Sequence, residues 1–197
     1  TAHPGKEIFA CRLAGALAHV ALAAGDTVHL IPMASASPEP PPRKGMHASR
    51  EIIRRLEHIT VSAPIDWERE AARYVGTPRS AGTAVIISDF WAEAVIKSLS
   101  PLNRLRQEIT LLQVLTPEEI SPPMGGNVRL EDSETGMEVS LSLNQRDLDA
   151  YGEAVENHLT ALRDGARRHG MKHILCRTDM PFEQVVLNWL RSGGLLR

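Results

Sequence analysis

An acidic residue, Asp89, directly follows the most apolar short stretch of the sequence, Thr83–Ser88. This stretch is apolar on both of its faces, which is typical of a strand buried between two layers of helices. Because ligands of open parallel sheets bind beyond the carboxyl ends of the strands, Ser88 and Asp89 are the candidate partner-binding residues. The Asp89 carboxylate could be an oxygen ligand for Mg²⁺, or it could cap a helix that begins near Trp91. Its position alone leaves both interpretations open.

Two further aspartates could work with Asp89 in an enzyme. Asp179 follows the apolar segment Ile174–Cys176, and Asp66 stands at the start of a short helical pattern. For Asp179 the favoured interpretation is a cap of the last helix. A hydrolase or phosphotransfer enzyme that uses Asp89 as nucleophile or metal ligand is therefore the alternative to a binding protein.

The spacing of His169, His173 and Cys176 suggests a zinc site. The segment that contains them runs from the end of a helix through a glycine into a strand, so the three side chains need not converge. No fourth ligand stands nearby in the sequence. Cys11 and Cys176 both lie in apolar segments, where free cysteine acts as a small hydrophobic residue. We therefore expect neither a zinc site nor a cysteine nucleophile.

Other motifs point to ordinary structural roles. Gly125 and Gly126 precede an alternating strand rather than a helix, so they do not form a phosphate-binding loop. Pro38–Arg43 matches the Pro-x-x-Pro-x-Arg pattern of ligands for SH3-like grooves, but a stiff polyproline connector is the favoured interpretation. The basic cluster around Arg54 and Arg55 could bind an acidic partner, although a solvated helix face is favoured.

The elements that must position these residues alternate between strands and helices, which predicts a mainly parallel sheet covered on both faces. The alternating stretch Val128–Leu143 predicts a hairpin on the edge of this sheet, with its turn at residues 134–136. Glycine caps are expected at Gly25 and Gly170. Strands are predicted over 27–31, 83–88, 109–115 and 173–176, and helices over 8–24, 52–59, 66–74, 91–99, from the cap Asn144 to 169, and after Pro181.

The composition bounds the class of protein. A length of 197 residues and a mass of 21.6 kDa suit one α/β domain. The hydrophobic fraction of 43% excludes intrinsic disorder, and the net charge of -2 gives no general attraction to nucleic acid. Two distant cysteines exclude a disulfide framework and favour a reducing compartment. No apolar run approaches the roughly 18 residues that would span a bilayer, so no membrane contact is expected from this segment.

Six stretches occur in a particular order along the chain: Gly5–Ala18, Ala24–Val28, Val85–Phe90, Leu111–Glu119, Val128–Gly136 and Arg168–Gly170. In this order and spacing they together resemble domain-of-unknown-function family number fifty-eight, whose C-terminal part is a von Willebrand factor A-like domain. The resemblance covers nearly the whole chain. Each stretch is a modest match alone, and it is their shared order along the chain that makes the resemblance specific.

The resemblance implies a Rossmann-like sheet with helices on both faces and a metal-ion-dependent adhesion site at its carboxyl edge. In such domains an Asp-x-Ser-x-Ser motif, a Thr in a middle loop and an Asp after the fourth strand hold the metal. Asp89 matches the last of these. The first motif does not occur in this chain, and Ile65, which has no side-chain oxygen, stands where the Thr is expected. Asp89 is therefore the only candidate metal residue carried over, and no cofactor is expected.

The resemblance also implies a role. Members of this family commonly accompany MoxR-type AAA+ ATPases and act as interaction or assembly modules, which predicts a non-enzymatic protein-binding module with no nucleic-acid partner. We expect a single domain over residues 1–197 that is N-terminally truncated, because the chain begins at Thr1 and the first central strand is missing. Such a chain would leave a gap in its sheet. The expected location is cytoplasmic, or the cytoplasmic-facing domain of a longer membrane protein.

Overall fold

The computed structural model of the protein describes residues 5–34, 39–59, 64–92, 95–122, 126–131, 138–143 and 145–189. Within these ranges, no helix combines the length and the apolar character needed to cross a bilayer. Short 3₁₀ helices lie at Met46–Ala48 and Ser100–Arg104. The other elements in chain order are α1 (Lys6–Ala23), β1 (Thr27–Val28), β2 (Arg43–Lys44), α2 (Ser49–Glu57), α3 (Trp67–Gly76), β3 (Gly82–Ser88), α4 (Val95–Leu99), β4 (Gln107–Leu115), α5 (Pro117–Ile120), β5 (Gly126–Glu131), β6 (Glu138–Leu143), α6 (Gln145–Arg168), β7 (Lys172–Arg177) and α7 (Phe182–Trp189).

The centre of the fold is a three-stranded parallel sheet in the order β3-β4-β7. In its register Ser88 lies beside Gln113, and Leu115 lies beside Arg177. The residues that follow the three strands therefore meet at one edge of the sheet. This arrangement confirms the predicted parallel sheet.

Helices cover both faces of this sheet. Ile109 and Leu111 of β4 face one side, while Leu112 and Val114 face the other, as the two-residue period of a strand requires. The first side packs against α3, α4 and α6, and the second against α1 and α7. The chain is thus an α/β protein with a Rossmann-like parallel sheet between two helical layers.

Helix α1 is apolar around most of its circumference because two partners cover it. Phe9 and Leu13 pack against the sheet, while Ala18 and Leu22 pack against α2. A helix buried on two sides needs no single apolar stripe. The helix gives way to a turn at Gly25, whose φ of 85° confirms the predicted glycine cap.

Most predicted elements differ from the observed bounds by one to three residues, and the differences at β1 and α4 bear on the architecture. The strand predicted over 27–31 is paired only at Thr27–Val28, opposite Arg43–Lys44. Prolines 40–42 directly precede β2 and have no N–H to donate, so the pairing cannot extend in that direction. The helix predicted from Trp91 is not formed at residues 91 and 92, and α4 is assigned from Val95.

The predicted hairpin forms, but not on the edge of the central sheet. Strands β5 and β6 pair with each other in antiparallel register and make a separate two-stranded sheet. The prediction that the hairpin extends the central sheet was therefore wrong, because alternation identifies a two-sided strand but not its neighbour. The predicted turn at 134–136 and the predicted cap Asn144 lie outside the described residues.

Strand β3 is paired on one side only in the described part of the chain. Among the residues that the structure describes, its strand pairing is to β4 alone, and no main-chain hydrogen bond joins residues 83–88 to a strand on its other side. Val85 and Ile87 nevertheless pack into the core beneath α1. An apolar edge strand offers unpaired N–H and C=O groups to a further strand. The additional central strand that the family resemblance implies stays a prediction.

Candidate functional site

Asp89 lies at the carboxyl end of β3, in a turn that the buried ring of Phe90 fixes. Phe90 has a φ of 55°, a left-handed conformation that costs about 1–2 kcal/mol for a residue with a side chain. Its side chain is 0% exposed, and its ring stacks on Trp67 with the ring centroids 5.4 Å apart. The Phe90 N–H donates to Ser88 Oγ at 3.4 Å. Burial of the ring thus offsets the backbone strain and holds Asp89 at the surface.

Asp89 does not cap the helix that follows. The backbone is non-helical through residue 92, so Asp89 is too far from the start of α4 for a cap, and that interpretation was wrong. Its carboxylate is used elsewhere. Oδ2 accepts a hydrogen bond from Lys6 Nζ at 2.9 Å, and Oδ1 accepts one from Ser88 Oγ at 3.4 Å.

Lys6 joins Asp89 to a second carboxylate. Its Nζ lies 2.9 Å from Asp89 Oδ2 and 2.6 Å from Glu119 Oε1. Partial burial acts to lower the pKa of Lys6, but the hydrogen bonds to Glu119 and Asp89 outweigh it, and the pKa is raised. Lys6 therefore stays a charged ammonium and is not a nucleophilic amine.

Glu119 is positioned by a capping box at the start of α5. Thr116 Oγ1 accepts from the Glu119 N–H at 3.2 Å, and Glu119 Oε2 accepts from the Thr116 N–H at 2.8 Å. This reciprocal pair fixes the side chain against its own helix. Its other oxygen, Oε1, is left to accept from Lys6 and, at 3.3 Å, from Trp91 Nε1. Tyr151 of α6 donates to the Glu119 carbonyl at 2.7 Å.

Trp91 connects this carboxylate to α6. Its ring lies 4.7 Å from the ring of His158, measured between centroids. His158 Nε2 is buried and has no hydrogen-bond partner among the described residues, and the same holds for Thr178 Oγ1, which follows β7. Thr178 is 3% exposed, and its N–H donates to the Leu115 carbonyl.

The buried side-chain amide of Gln113 holds the backbone of Asp89 in place. Gln113 of β4 is 0% exposed, and its Nε2 donates to the Asp89 carbonyl oxygen at 2.8 Å. Its Oε1 then accepts from His173 Nε2 at 3.0 Å. Burial, followed by the charges of Arg163 and His158, lowers the pKa of His173 to about 4. The ring is therefore neutral near pH 7 and can serve as this donor.

The other two aspartates do not join Asp89. Asp179 is paired with Arg177 through two hydrogen bonds of 3.0 and 2.6 Å. Since α7 begins at Phe182, its cap position is Pro181, and the prediction that Asp179 occupies that position was wrong. Asp66 caps α3 by accepting from the Arg69 N–H at 3.0 Å.

The residues of the suggested zinc pattern point apart. His173 bonds to Gln113, His169 Nδ1 lies 3.2 Å from Asn103 Nδ2, and Cys176 packs into the opposite core. Burial raises the pKa of the Cys176 thiol to about 12, so this thiol is not a nucleophile at neutral pH. Burial, with the nearby charge of Glu7, also raises the pKa of Cys11.

The arginine of the Pro-x-x-Pro-x-Arg segment is engaged inside the chain. Arg43 donates two hydrogen bonds, of 2.7 and 2.6 Å, to Glu51, which also pairs with Arg55. This contact supports the interpretation of the segment as a connector anchored to α2.

The metal implied by the family resemblance does not fit the described residues while Lys6 is in place. Asp89 and Glu119 converge on one point, but Lys6 Nζ lies at that point. Ile65 packs against the apolar core and supplies no oxygen. Across the ranges that the structure describes, no group of three or more His, Cys, Asp or Glu side chains could hold a metal ion.

Sequence reasoning identified Ser88 and Asp89 but missed their partners Lys6, Glu119 and Gln113. Only Glu119 had a local signal, the Thr-x-x-Glu capping box that starts at Thr116.

Two curated relatives are uncharacterized mycobacterial proteins. One, from Mycobacterium avium, is 27% identical over 158 residues, which cover 77% of this chain and 92% of that protein. The other, from Mycobacterium tuberculosis, is 29% identical over 116 residues, covering 58% of this chain but only 36% of that protein. The chain thus spans most of the first relative and about a third of the second.

A solved structure shares this fold, and a family model matches most of the sequence. The crystal structure of the conserved hypothetical protein BatB from Bacteroides thetaiotaomicron has a TM-score of 0.51 and 14% sequence identity, covering 93% of this chain and 85% of that chain. At this identity the likeness concerns the fold alone. The family described as "Protein of unknown function DUF58" matches residues 1–161. Since the match covers most of the 197 residues, the chain belongs to the DUF58 family.

Proposed function

We propose that the chain is a non-enzymatic protein-interaction or assembly module of the von Willebrand A type. Its partner-binding surface is the carboxyl edge of the parallel sheet, centred on Ser88 and Asp89. The proposal takes residues 1–197 as a single domain whose free β3 edge accepts a further strand. The module acts in the cytoplasm, or faces it, and its partner is a MoxR-type AAA+ ATPase.

One observation carries this proposal, namely the way in which Asp89 is held at the surface. Its side chain is 37% exposed, while the buried Phe90 ring and the Gln113 amide fix the backbone on either side. A charged group on a rigid turn loses little conformational freedom when it binds a partner, and such preorganisation favours recognition. Its position beyond the strand ends is where ligands of this sheet architecture bind.

The contacts of Asp89 support binding over catalysis. The described side chains that bond to its carboxylate are Lys6 and Ser88. A nucleophilic or metal-assisted mechanism would need further acidic or basic groups at adjacent strand ends. The two candidates for that role, Asp66 and Asp179, are engaged with Arg69 and Arg177.

The test is a binding measurement with a purified MoxR-type AAA+ ATPase from the same organism. We expect Asp89→Ala to weaken binding about tenfold or more, the loss of roughly 1.4 kcal/mol typical of a charged contact. Ser88→Ala should weaken it less. Glu108→Ala is the matched control, because Glu108 is a surface acid at the opposite end of the same strand pair.

Two outcomes would contradict the proposal. The first is ATPase binding that Asp89→Ala and Glu108→Ala affect equally, or no binding at all. The second is turnover of phosphatase or esterase substrates by the wild-type chain that Asp89→Ala abolishes, which would favour the hydrolase or phosphotransfer alternative.

A further inference from the structure

Lys6 is an unusual residue for its place in α1. It lies in the first turn of the helix, where the backbone dipole favours acidic side chains and disfavours an ammonium. A lysine at this position is stabilised only if carboxylates nearby outweigh the dipole. Asp89 and Glu119 supply them, at 2.9 and 2.6 Å from Nζ.

The three side chains form a fixed cluster that spans three parts of the fold. Lys6 comes from α1, Asp89 from the end of β3 and Glu119 from α5. Glu119 is locked by its capping box and Asp89 by the turn at Phe90. The capping box orients the Glu119 carboxylate and the turn fixes the Asp89 backbone without Lys6, and the ammonium lies between the two carboxylates.

A positive charge between two carboxylates is the charge arrangement of a metal site. The number of oxygens around it is not that of a metal site. An ammonium donates hydrogen bonds to two carboxylates and does not require a full shell of oxygen ligands. Mg²⁺ requires a near-octahedral set of oxygens at about 2.0–2.1 Å. A divalent ion placed between the same carboxylates would also face the positive charge of Lys6.

We infer that the Lys6 ammonium takes the place of a divalent cation at the carboxyl edge, so that the edge is assembled without metal. Lys6 ties the start of α1 to the Asp89 turn and to α5. This inference concerns the isolated chain, so it is tested independently of whether the proposed partner binds.

The test measures thermal unfolding and calorimetric Mn²⁺ binding on the full chain after treatment with EDTA. The wild-type Tm should not change on addition of millimolar Mn²⁺ or Mg²⁺, and no binding heat should be seen. Lys6→Met should lower the Tm without metal and leave two unbridged carboxylates. Mn²⁺ should then raise the Tm of Lys6→Met by about 3 °C through binding to the folded state.

Three further variants serve as controls for this test. Lys6→Met combined with Asp89→Asn should lose the response to Mn²⁺, since a neutral amide then replaces one of the two carboxylates. Lys97→Met, at an exposed lysine of α4, should behave as wild type. Lys6→Arg keeps the positive charge and should remain indifferent to Mn²⁺, and it provides a folded comparison if Lys6→Met unfolds.

Three results would overturn the inference. One is Mn²⁺ binding by the wild-type chain that Asp89→Asn removes, because the metal and Lys6 would then coexist or exchange. Another is a folded Lys6→Met variant that shows no Mn²⁺ response. If Lys6→Met does not fold, Mn²⁺ binding to Lys6→Arg would overturn it.

Discussion

The Nε2 amide of Gln113, which is fully buried in β4, donates a hydrogen bond to the main-chain carbonyl of Asp89 across 2.8 Å. This bond links the core of the sheet to the exposed turn. Because Oε1 of the same amide accepts from His173, one side chain satisfies a polar group on each neighbouring strand. Buried polar networks of this kind fix a single arrangement when every member is paired.

Removal of this amide should destabilise the protein. Gln113→Leu keeps the volume but leaves the Asp89 carbonyl without its donor and His173 without its acceptor. We expect the free energy of unfolding to fall by about 1–3 kcal/mol, measured by urea denaturation. Thr110→Val, at a second buried polar position of the same strand, is the control and should cost less. Equal losses for the two variants would contradict this role of Gln113.

His173 should make the stability depend on pH. Its pKa is lowered from 6.5 to about 4 in the folded state, chiefly by burial. The unfolded chain then binds more protons than the folded chain between these values, so stability falls as the pH falls through that range. The contribution that is present above pH 6.5 and lost near pH 4 should be about 2–3 kcal/mol once solvent screening of the partly buried ring reduces it.

The measurement compares urea denaturation at pH 7 and pH 5 in the wild type and in His173→Gln. The Gln amide can still donate to Gln113 but does not titrate in this range. The wild type should therefore lose more stability between the two pH values than the variant does. His47→Gln, at an exposed histidine, should follow the wild type. Parallel losses in the wild type and His173→Gln would contradict the prediction.

A third prediction concerns the buried guanidinium of Arg79. It is 7% exposed, pairs with Glu39 through bonds of 2.9 and 3.0 Å, and lies 4.3 Å from the centre of the Tyr74 ring. Glu39→Gln should cost about 2 kcal/mol of unfolding free energy, because it leaves a buried charge without its counter-ion. Chemical denaturation at pH 7 measures this loss.

The hydrogen bonds from Arg79 lower the pKa of Glu39 below 4.5. The stability from this pair is therefore present above pH 4.5 and is lost as the pH falls through the lowered pKa. Glu51→Gln is the matched control, since Glu51 pairs with Arg43 and Arg55 but lies at the exposed surface. It should change stability much less at pH 7. A control loss as large as that of Glu39→Gln would rule out burial as the cause.

The central sheet could be predicted because its signals are local. The apolar runs of β3, β4 and β7 each identify a buried strand, and the helices between them require parallel pairing. The sequence has no comparable local signal for which strands pair with each other. The hairpin of β5 and β6 was therefore predicted on the edge of the central sheet, whereas it forms a separate two-stranded sheet. The start of α4 was missed for a related reason. Phe90 turns the chain because its ring is buried on Trp67, which is a tertiary contact.

The candidate site could be predicted only in part, for the same physical reason. Asp89 was found from its position after an apolar strand. Lys6 is 83 residues away from Asp89 and 113 away from Glu119, so no spacing rule joins them. The helix predicted over 8–24 did not include Lys6, which the structure places in the first turn, where a lysine is unfavourable by itself. Only the fold supplies the two carboxylates that stabilise it.

The edge of β3 leads to the last prediction, which hydrogen exchange can test. Strand β4 is paired on both sides, to β3 and to β7. In the described part of the chain, the pairing of β3 is to β4 alone. Since successive amides of a strand point to opposite sides, about half of the amides in residues 83–88 lack a strand partner. We expect alternating slow and fast exchange there, and uniformly slow exchange over residues 109–115.

Uniform protection of residues 83–88, equal to that of β4, would show that another strand pairs with this edge in solution. Exchange measured over a range of protein concentrations distinguishes the two sources of such a strand. Protection that appears only at high concentration would come from a second copy of the chain. Protection that is independent of concentration would come from the chain itself. Either result would contradict an open edge, and the alternating pattern would leave β3 available to a partner strand.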